Sequence, residues 1–392
     1  MKITDLRIWL PTVPVEGLGF RTWVFLEVDT DEGISGIGEA SSTGGGGSTI
    51  VGSMLRNLRE SKVVTDFRDT IIGENPEHIE RIWHKLWRRY TGGGGWGGFV
   101  TTLVSGVNIA LWDIKGKHLG KPIYNLLGGS IRDKIQLYTH VRAGDPEEAA
   151  KHAEKLVAEG YTAMKTDPFM PEMRPHHRKY TSGQISADGM INGVATISAI
   201  RNAVGPKIEI LIDAHGNFNV PTAIRICKML QPYDLTWLEE PVQPESIQAL
   251  KQVRENVEVP LCVGERIYTR FGFLPILMNR LADYIMPDIC WTGGISEMMK
   301  IANMAETFHI PVSPHDANGP LNILSGAHTM MTVPNFYKLE FISSWIDNYN
   351  ACISPNLDIR EGYLHISERP GLGVELNMEY LEKNSDPDWV HI

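Results

Sequence analysis

The sequence predicts an α/β protein whose larger part is a (β/α)8 barrel, and three observations lead there. Between residues 135 and 341, eight short apolar segments alternate with mostly helix-length stretches, the texture of sequential βα units. Asp213, Glu239 and Glu265 each close one such segment and are equally spaced along the chain. Every segment from the second to the eighth ends in an ionisable residue: Lys165 and Asp167, Asp213 and His215, Glu239, Glu265, Asp288, His315, and Glu340. Acids and bases at the C-terminal ends of barrel strands point into one shared mouth. A solvated rim accounts for one such residue, but hardly for seven strand ends in a row.

The eight segments are Ile135–Thr139, Thr162–Lys165, Ile208–Ile212, Leu235–Leu238, Leu261–Val263, Tyr284–Met286, Ile310–Ser313 and Tyr337–Phe341. Asp145-Pro-Glu-Glu148 is a capping box that opens the first helix of the series, and Gly160 ends it. One irregular unit is compatible with the pattern. Ahead of the barrel, Ile3–Leu10, Thr22–Val28 and Ile34–Glu39 read as a three-stranded meander with a turn at Asp29-Thr-Asp-Glu-Gly33. A helix is expected from Asn75 as N-cap and Pro76 at the first helical position. Its apolar stripe is Ile79, Ile82, Trp83, Leu86, Trp87 and Tyr90, a core face rather than a cofactor contact. Two glycine runs, 44–47 and 92–98, fit neither a dinucleotide fingerprint nor a P-loop and read as flexible loops.

Composition excludes several classes. The formal net charge is −10, which disfavours nucleic acid and anionic membrane surfaces alike. Apolar content of 42% and charged content of 21% are those of a globular protein. No uncharged apolar stretch is long enough to span a bilayer, and the alternating N-terminus is not a signal peptide. The four cysteines, Cys227, Cys262, Cys290 and Cys352, show neither CxxC pairing nor metal-ligand spacing. A reduced, cytoplasmic protein is expected.

Three crowded carboxylates repel one another unless a cation lies between them, and oxygen-only ligands suit a hard ion such as Mg²⁺. So held, Mg²⁺ can bind a substrate carboxylate and stabilise the dianion left when the adjacent carbon loses its proton. A base titrating near neutral pH is then needed. His315 qualifies, with Asp288, one strand earlier, behind it to orient the ring. His215 lies two positions beyond Asp213, so strand alternation sends both side chains the same way. An acid there would expel a hydroxyl as water.

As a set, Asp213, Glu239, Glu265, Asp288, His315 and Glu340 resemble the enolase superfamily, in its mandelate racemase subgroup. Four stretches carry the same resemblance: Asn108–Lys117, Gly120–Gly129, Trp237-Leu-Glu-Glu-Pro241 and Pro370-Gly-Leu-Gly-Val-Glu375. The resemblance implies a modified barrel over residues 126–345, under an α+β capping domain from residues 1–125 with residues 346–392 packed back on it. It implies one Mg²⁺ on Asp213, Glu239 and Glu265, a His315–Asp288 dyad as base, and Glu340 hydrogen-bonded to the substrate carboxylate. The subgroup's racemase pattern has Lys-x-Lys at the second strand, where this chain has Lys165-Thr-Asp167. Lys165 remains to neutralise the substrate carboxylate or to form a salt bridge inside the barrel.

With Asp-x-His at the third strand, the chain is most similar to the galactonate and gluconate dehydratases of the subgroup, in which the His at the position of His215 expels the 3-hydroxyl. The expected reaction is dehydration of a sugar acid to a 2-keto-3-deoxy acid, with a small-molecule partner and, as among relatives, a homo-oligomer from dimer to octamer. A racemase or epimerase working through the same enediolate is the alternative, and Asp167 counts against it, because a carboxylate is a poor partner for a substrate anion unless protonated or paired. A non-catalytic scaffold has no need of such ligands. Specificity is expected from loops around Val13–Arg21 and Ser41–Ser48. Arg21 is a candidate for a distal hydroxyl or carboxylate, or a surface charge. His140 and Trp345 are similar candidates, and Asp167 is placed with them.

Overall fold

A computed structural model describes residues 1–15, 19–41, 68–91, 98–142, 144–170 and 181–385. The N-terminal part is a meander, β1 (Ile3–Trp9), β4 (Phe25–Thr30) and β5 (Ser35–Glu39), in the order β1-β4-β5. Ile3, Leu6 and Ile8 of β1 and Leu26 and Val28 of β4 are buried together on one face. The strand expected at Thr22–Val28 is divided. Thr22 ends a hairpin that the sequence did not announce, β2 (Thr12–Val15) with β3 (Gly19–Thr22), and the Trp23 N–H turns to the Pro11 carbonyl at 3.0 Å.

Two helices cover this sheet. The first runs over Ile79–Thr91 and buries Ile79, Ile82, Trp83 and Leu86. It starts later than expected, because the Asn75 side chain accepts from Glu77 N–H and closes a separate turn. The second, Gly98–Leu119, was not identified from the sequence. Its middle is buried on nearly every side, so it carries no amphipathic stripe for periodicity to reveal. It crosses β5 so closely that a Cβ on Gly38 would lie 2.0 Å from the Gly106 carbonyl oxygen, and glycine permits the approach.

The barrel follows. β6 (Ile135–His140), β7 (Ala163–Thr166), β8 (Glu209–Asp213), β9 (Trp237–Glu239), β10 (Leu261–Val263) and β11 (Tyr284–Ile285) pair in sequence, all parallel. The seventh position narrows to the single-residue bridges of Val312 with Ile285 and Phe336. β12 (Leu339–Glu340) then pairs with β6 and closes the ring. Asp145 caps the first barrel helix, Pro146–Ala158, by accepting from Glu147 and Glu148 N–H, as the capping box predicts.

No full-length barrel helix follows β12. The chain makes a short helix, Ile346–Cys352. It then returns to the base of the barrel, where the hairpin Asp358–Arg360/Tyr363–His365 adds antiparallel to β6. Beyond it, Leu372 N–H donates to buried Asp113 at 2.7 Å, and Asp113 also accepts from Ile37 N–H at 3.0 Å and pairs with Lys117. One carboxylate thus ties the C-terminal segment to the Gly98–Leu119 helix and to β5. Among the described residues, no helix is long and apolar enough to cross a membrane.

Candidate active site

The parallel register sets Asp213 of β8 beside Glu239 of β9, and Glu239 beside Cys262 of β10. Glu265 arrives one residue beyond Gly264. That glycine has φ 150°, and a Cβ there would lie 2.8 Å from the Met286 backbone, so glycine lets the chain hug β11 and deliver the acid. All three acids are buried, and one carboxylate oxygen from each lies within 4.8 Å of the other two. Burial, and after it the charge of Asp213, pushes the Glu239 carboxyl well above the ordinary range. Three buried carboxylates this close together offer an all-oxygen donor set that fits a hard divalent cation.

Lys165 on β7 is buried against these acids. Its Nζ stands 3.2 Å from Glu239, 3.4 Å from Asp213, and in contact with Glu340. Burial alone would lower its pKa, but Glu239 and Glu340 outweigh burial and keep the ammonium charged. Of the two roles open to it in the sequence, the salt bridge inside the barrel is formed. Glu340 on β12 joins several groups: His140 Nε2 at 2.7 Å, Lys165, and Asp316 N–H at 3.0 Å.

His315 lies across the mouth. Its Nδ1 is 2.7 Å from Asp288 Oδ2, and its Nε2 is 3.1 Å from Glu265. Burial opposes the imidazolium, but Glu340 and Glu265, with the Asp288 bond, raise its pKa well above the ordinary value. Glu265 responds in kind: burial opposes its ionisation, and His315 outweighs burial and holds the carboxyl below the usual range. A cation on Glu265 would share that negative charge and weaken its hold on the imidazole proton.

His215 faces a second acid. Its Nδ1 is 2.8 Å from Asp167 Oδ2 and 3.3 Å from Asp213. Strand alternation does not aim it, because β8 ends at Asp213 and His215 sits at φ +47°. A tight turn, closed by Asp213 accepting His215 N–H at 2.8 Å, does so instead. Asp167 is fixed in turn by Phe169 and Met170 N–H. Asp167 is therefore paired, and a paired carboxylate does not count against a racemase.

Arg21 on β3 stacks its guanidinium over buried Trp345 at 4.8 Å, and its buried Nε has no hydrogen-bond partner. Tyr349 packs against Trp345 and lies in electrostatic reach of both Arg21 and Glu340. The Arg21–Trp345 pair thus joins the β2–β3 hairpin to the segment after β12. Residues 16–18 and 42–48 of the two expected specificity loops lie outside the described residues.

Sequence reasoning missed several participants. Glu240 and Arg266, each next to an acid of the cage, form an ion pair in which the carboxylate is buried and the guanidinium partly exposed. Burial, and next the charge of Glu265, lifts the Glu240 carboxyl to about 8 despite Arg266. Their separation equals that of Glu239 and Glu265, so the same periodicity could have found them. Asn318, Asn322 and Glu39 had no such signal.

An eight-stranded barrel with acids at successive strand ends, under a cap drawn from both ends of the chain, defines an enolase-like protein. Residues 148–380 match the family described as enolase C-terminal domain-like, and residues 11–128 match the mandelate racemase / muconate lactonizing enzyme N-terminal domain. The chain belongs to the mandelate racemase / muconate lactonizing enzyme family. It is 32% identical to a D-xylonate dehydratase of Haloferax volcanii, covering 97% of this chain and 88% of the relative. It is 33% identical to a D-galactonate dehydratase of Pectobacterium atrosepticum, covering 94% and 92%. A D-gluconate dehydratase of Thermoproteus tenax is 32% identical, over 88% of this chain and 71% of that protein. Among solved structures, a member of the enolase superfamily from Salmonella Typhimurium superposes with a TM-score of 0.87 at 34% identity, covering 98% of each chain. A mandelate racemase/muconate lactonizing enzyme-like protein from Rubrobacter xylanophilus gives 0.86 at 33%, covering 99% of this chain and 98% of that one.

Proposed function

We propose that the chain is a Mg²⁺-dependent hydro-lyase that removes water from a sugar acid to give a 2-keto-3-deoxy acid. The carrying observation is the pair of His–Asp couples around one acid cage: His315–Asp288 at 2.7 Å and His215–Asp167 at 2.8 Å. Dehydratases of xylonate, galactonate and gluconate among the relatives support the substrate class. Asp213, Glu239 and Glu265 would hold the ion. Bound there, Mg²⁺ supplies positive charge to the substrate carboxylate, which makes the proton on the adjacent carbon removable.

This chain's side chains do the rest. His315 Nε2 takes the proton from carbon 2, and Asp288 holds the imidazole by Nδ1 and stabilises its cation. Glu340 is held by Lys165, His140 and Asp316 N–H, and Lys165 keeps it ionised against the cost of burial, so it can hydrogen-bond the substrate carboxylate only after taking up a proton. His215 carries a proton favoured by Asp213 and Asp167 against the cost of burial. It delivers that proton to the 3-hydroxyl, which leaves as water.

The second reading, a racemase or epimerase, draws on the same couple. Once it has given up its proton, His215 backed by Asp167 is a second base, and two bases on opposite faces of carbon 2 suffice to move a proton from one face to the other. A screen of purified protein against aldonic and aldaric acids, read by mass in D₂O, separates the readings. Loss of water supports the hydro-lyase. Deuterium uptake without loss of water supports the racemase, and if neither occurs the barrel is non-catalytic.

A further inference from the structure

The cap does more than cover the mouth. Glu39, the last residue of β5, is fully buried, and its carboxylate reaches out of the capping sheet to the segment after the seventh strand position. Its Oε1 accepts from Gly319 N–H at 2.6 Å, and its Oε2 accepts from Leu321 and Asn322 N–H at 3.0 Å. These are free donors at the start of the helix Pro320–Met330. The fit is close: a Cβ on Gly319 would lie 2.7 Å from Glu39 Oε1, so glycine there makes room for the carboxylate.

Asn322, whose backbone Glu39 holds, turns its side chain to the catalytic couple. Its Nδ2 donates to Asp288 at 3.3 Å, beside Asn318 Nδ2 at 3.0 Å and Cys290 N–H at 2.7 Å. Asp288 Oδ2 in turn meets His315 Nδ1. Two residues beyond Glu39, the Ser41 carbonyl accepts from the indole N–H of Trp291 at 3.0 Å, and that ring stands 6.1 Å from the His315 imidazole. The end of one cap strand therefore reaches two groups beside the base, Asp288 through Asn322 and Trp291 directly. A carboxylate that served merely to close the cap could have bonded any part of the rim.

We propose that Glu39 is a positioning residue for the His315 base, acting through Asn322 and Asp288, so that proton abstraction depends on a seated cap. The proposal rests on His315 being the base of the proposed reaction. Glu39→Gln keeps the shape of the side chain but brings an N–H₂ group to face backbone donors, which displaces the helix start. Asn322→Leu leaves Glu39 and its backbone bonds intact and removes only the amide on Asp288.

Both variants are expected to lower kcat and carbon-2 deuterium exchange by about 10- to 100-fold, the usual range for a residue that orients a catalytic ligand. KM and Mg²⁺ affinity should stay within about twofold, since neither residue touches substrate or ion. The double variant should lose no more than the worse single one, because the two act in one chain. Losses that multiply, or a wild-type exchange rate in Asn322→Leu, overturn the proposal. Should Glu39→Gln fail to fold, Asn322→Leu still decides.

A second readout needs no substrate. The low-field proton on His315 Nδ1 should shift upfield or broaden in both variants, and an unchanged resonance also overturns the proposal. If the wild type turns over no sugar acid, the proposed function fails, and this resonance alone decides whether Glu39 positions the imidazole.

Discussion

His215 Nδ1 and Asp167 Oδ2 lie 2.8 Å apart, although 48 residues separate them in the chain. The couple stands just beyond the ends of β7 and β8, while Asp288 and His315 follow the sixth and seventh strand positions of the ring. The mouth thus holds two imidazoles, each oriented by its own carboxylate, with the acid cage shared between them.

That relationship sets the first prediction. His215→Asn should block water loss and leave His315 able to exchange the carbon-2 proton. Removal of a general acid typically costs about 10²–10⁴-fold in rate. Asp167→Asn should cost less, since the imidazole remains but loses its orienting acceptor. NMR in D₂O follows both events. Normal keto-deoxy product from His215→Asn would reduce the residue to a structural role, and loss of exchange as well would make it the base.

For the metal, EDTA should abolish turnover and Mg²⁺ should restore it. Glu239→Gln removes an anionic donor from a cage that already crowds three carboxylates within 4.8 Å. It should weaken Mg²⁺ binding, measured by calorimetry, and the rise in melting temperature that Mg²⁺ produces should shrink with it. Full turnover by metal-stripped protein would sink the ion's role.

His315→Asn keeps a polar side chain against Asp288 but cannot take up a proton near neutral pH. Dehydration and carbon-2 exchange should fall together, by about 10²–10⁴-fold. Exchange at the wild-type rate would mean that another group is the base.

Glu39 also gives stability a pH dependence with a definite sign. Burial outweighs its Ser41 and backbone hydrogen bonds and raises its carboxyl from 4.5 to about 7. Below pH 4.5 it is protonated both folded and unfolded. Between 4.5 and 7 the unfolded chain has lost a proton that the fold still holds, so stability falls as pH rises. The loss is complete above 7 and amounts to about 3 kcal/mol at most. Glu39→Gln lacks this contribution, so its unfolding free energy should drop less between pH 5 and pH 8 than that of the wild type. Equal drops in urea titrations would count against the buried, proton-holding Glu39.

The sequence by itself determined the barrel, the acid cage and the pairing of His315 with Asp288. These depend on local periods: a strand ends, an acid follows, and parallel register carries that acid to the mouth whatever else the chain does. Asp213, Glu239, Glu265 and His315 were legible for that reason. So was the helix opened by Asp145, whose capping bonds span three residues. The helix Gly98–Leu119 was not, because a segment buried all round shows no period.

Tertiary structure alone decided the partners. Whether Asp167 is paired was decided by the turn after β8, which brings His215 to it, and Lys165 could be assigned to the barrel interior only once three acids surrounded it. Glu39 meets Gly319 across 280 residues, and no local pattern encodes a bond between a cap strand and a barrel helix. Side-chain direction at a strand end follows from backbone torsions and from what packs opposite, as the φ of +47° at His215 shows. Those are properties of the closed ring and its seated cap rather than of any stretch of sequence within them.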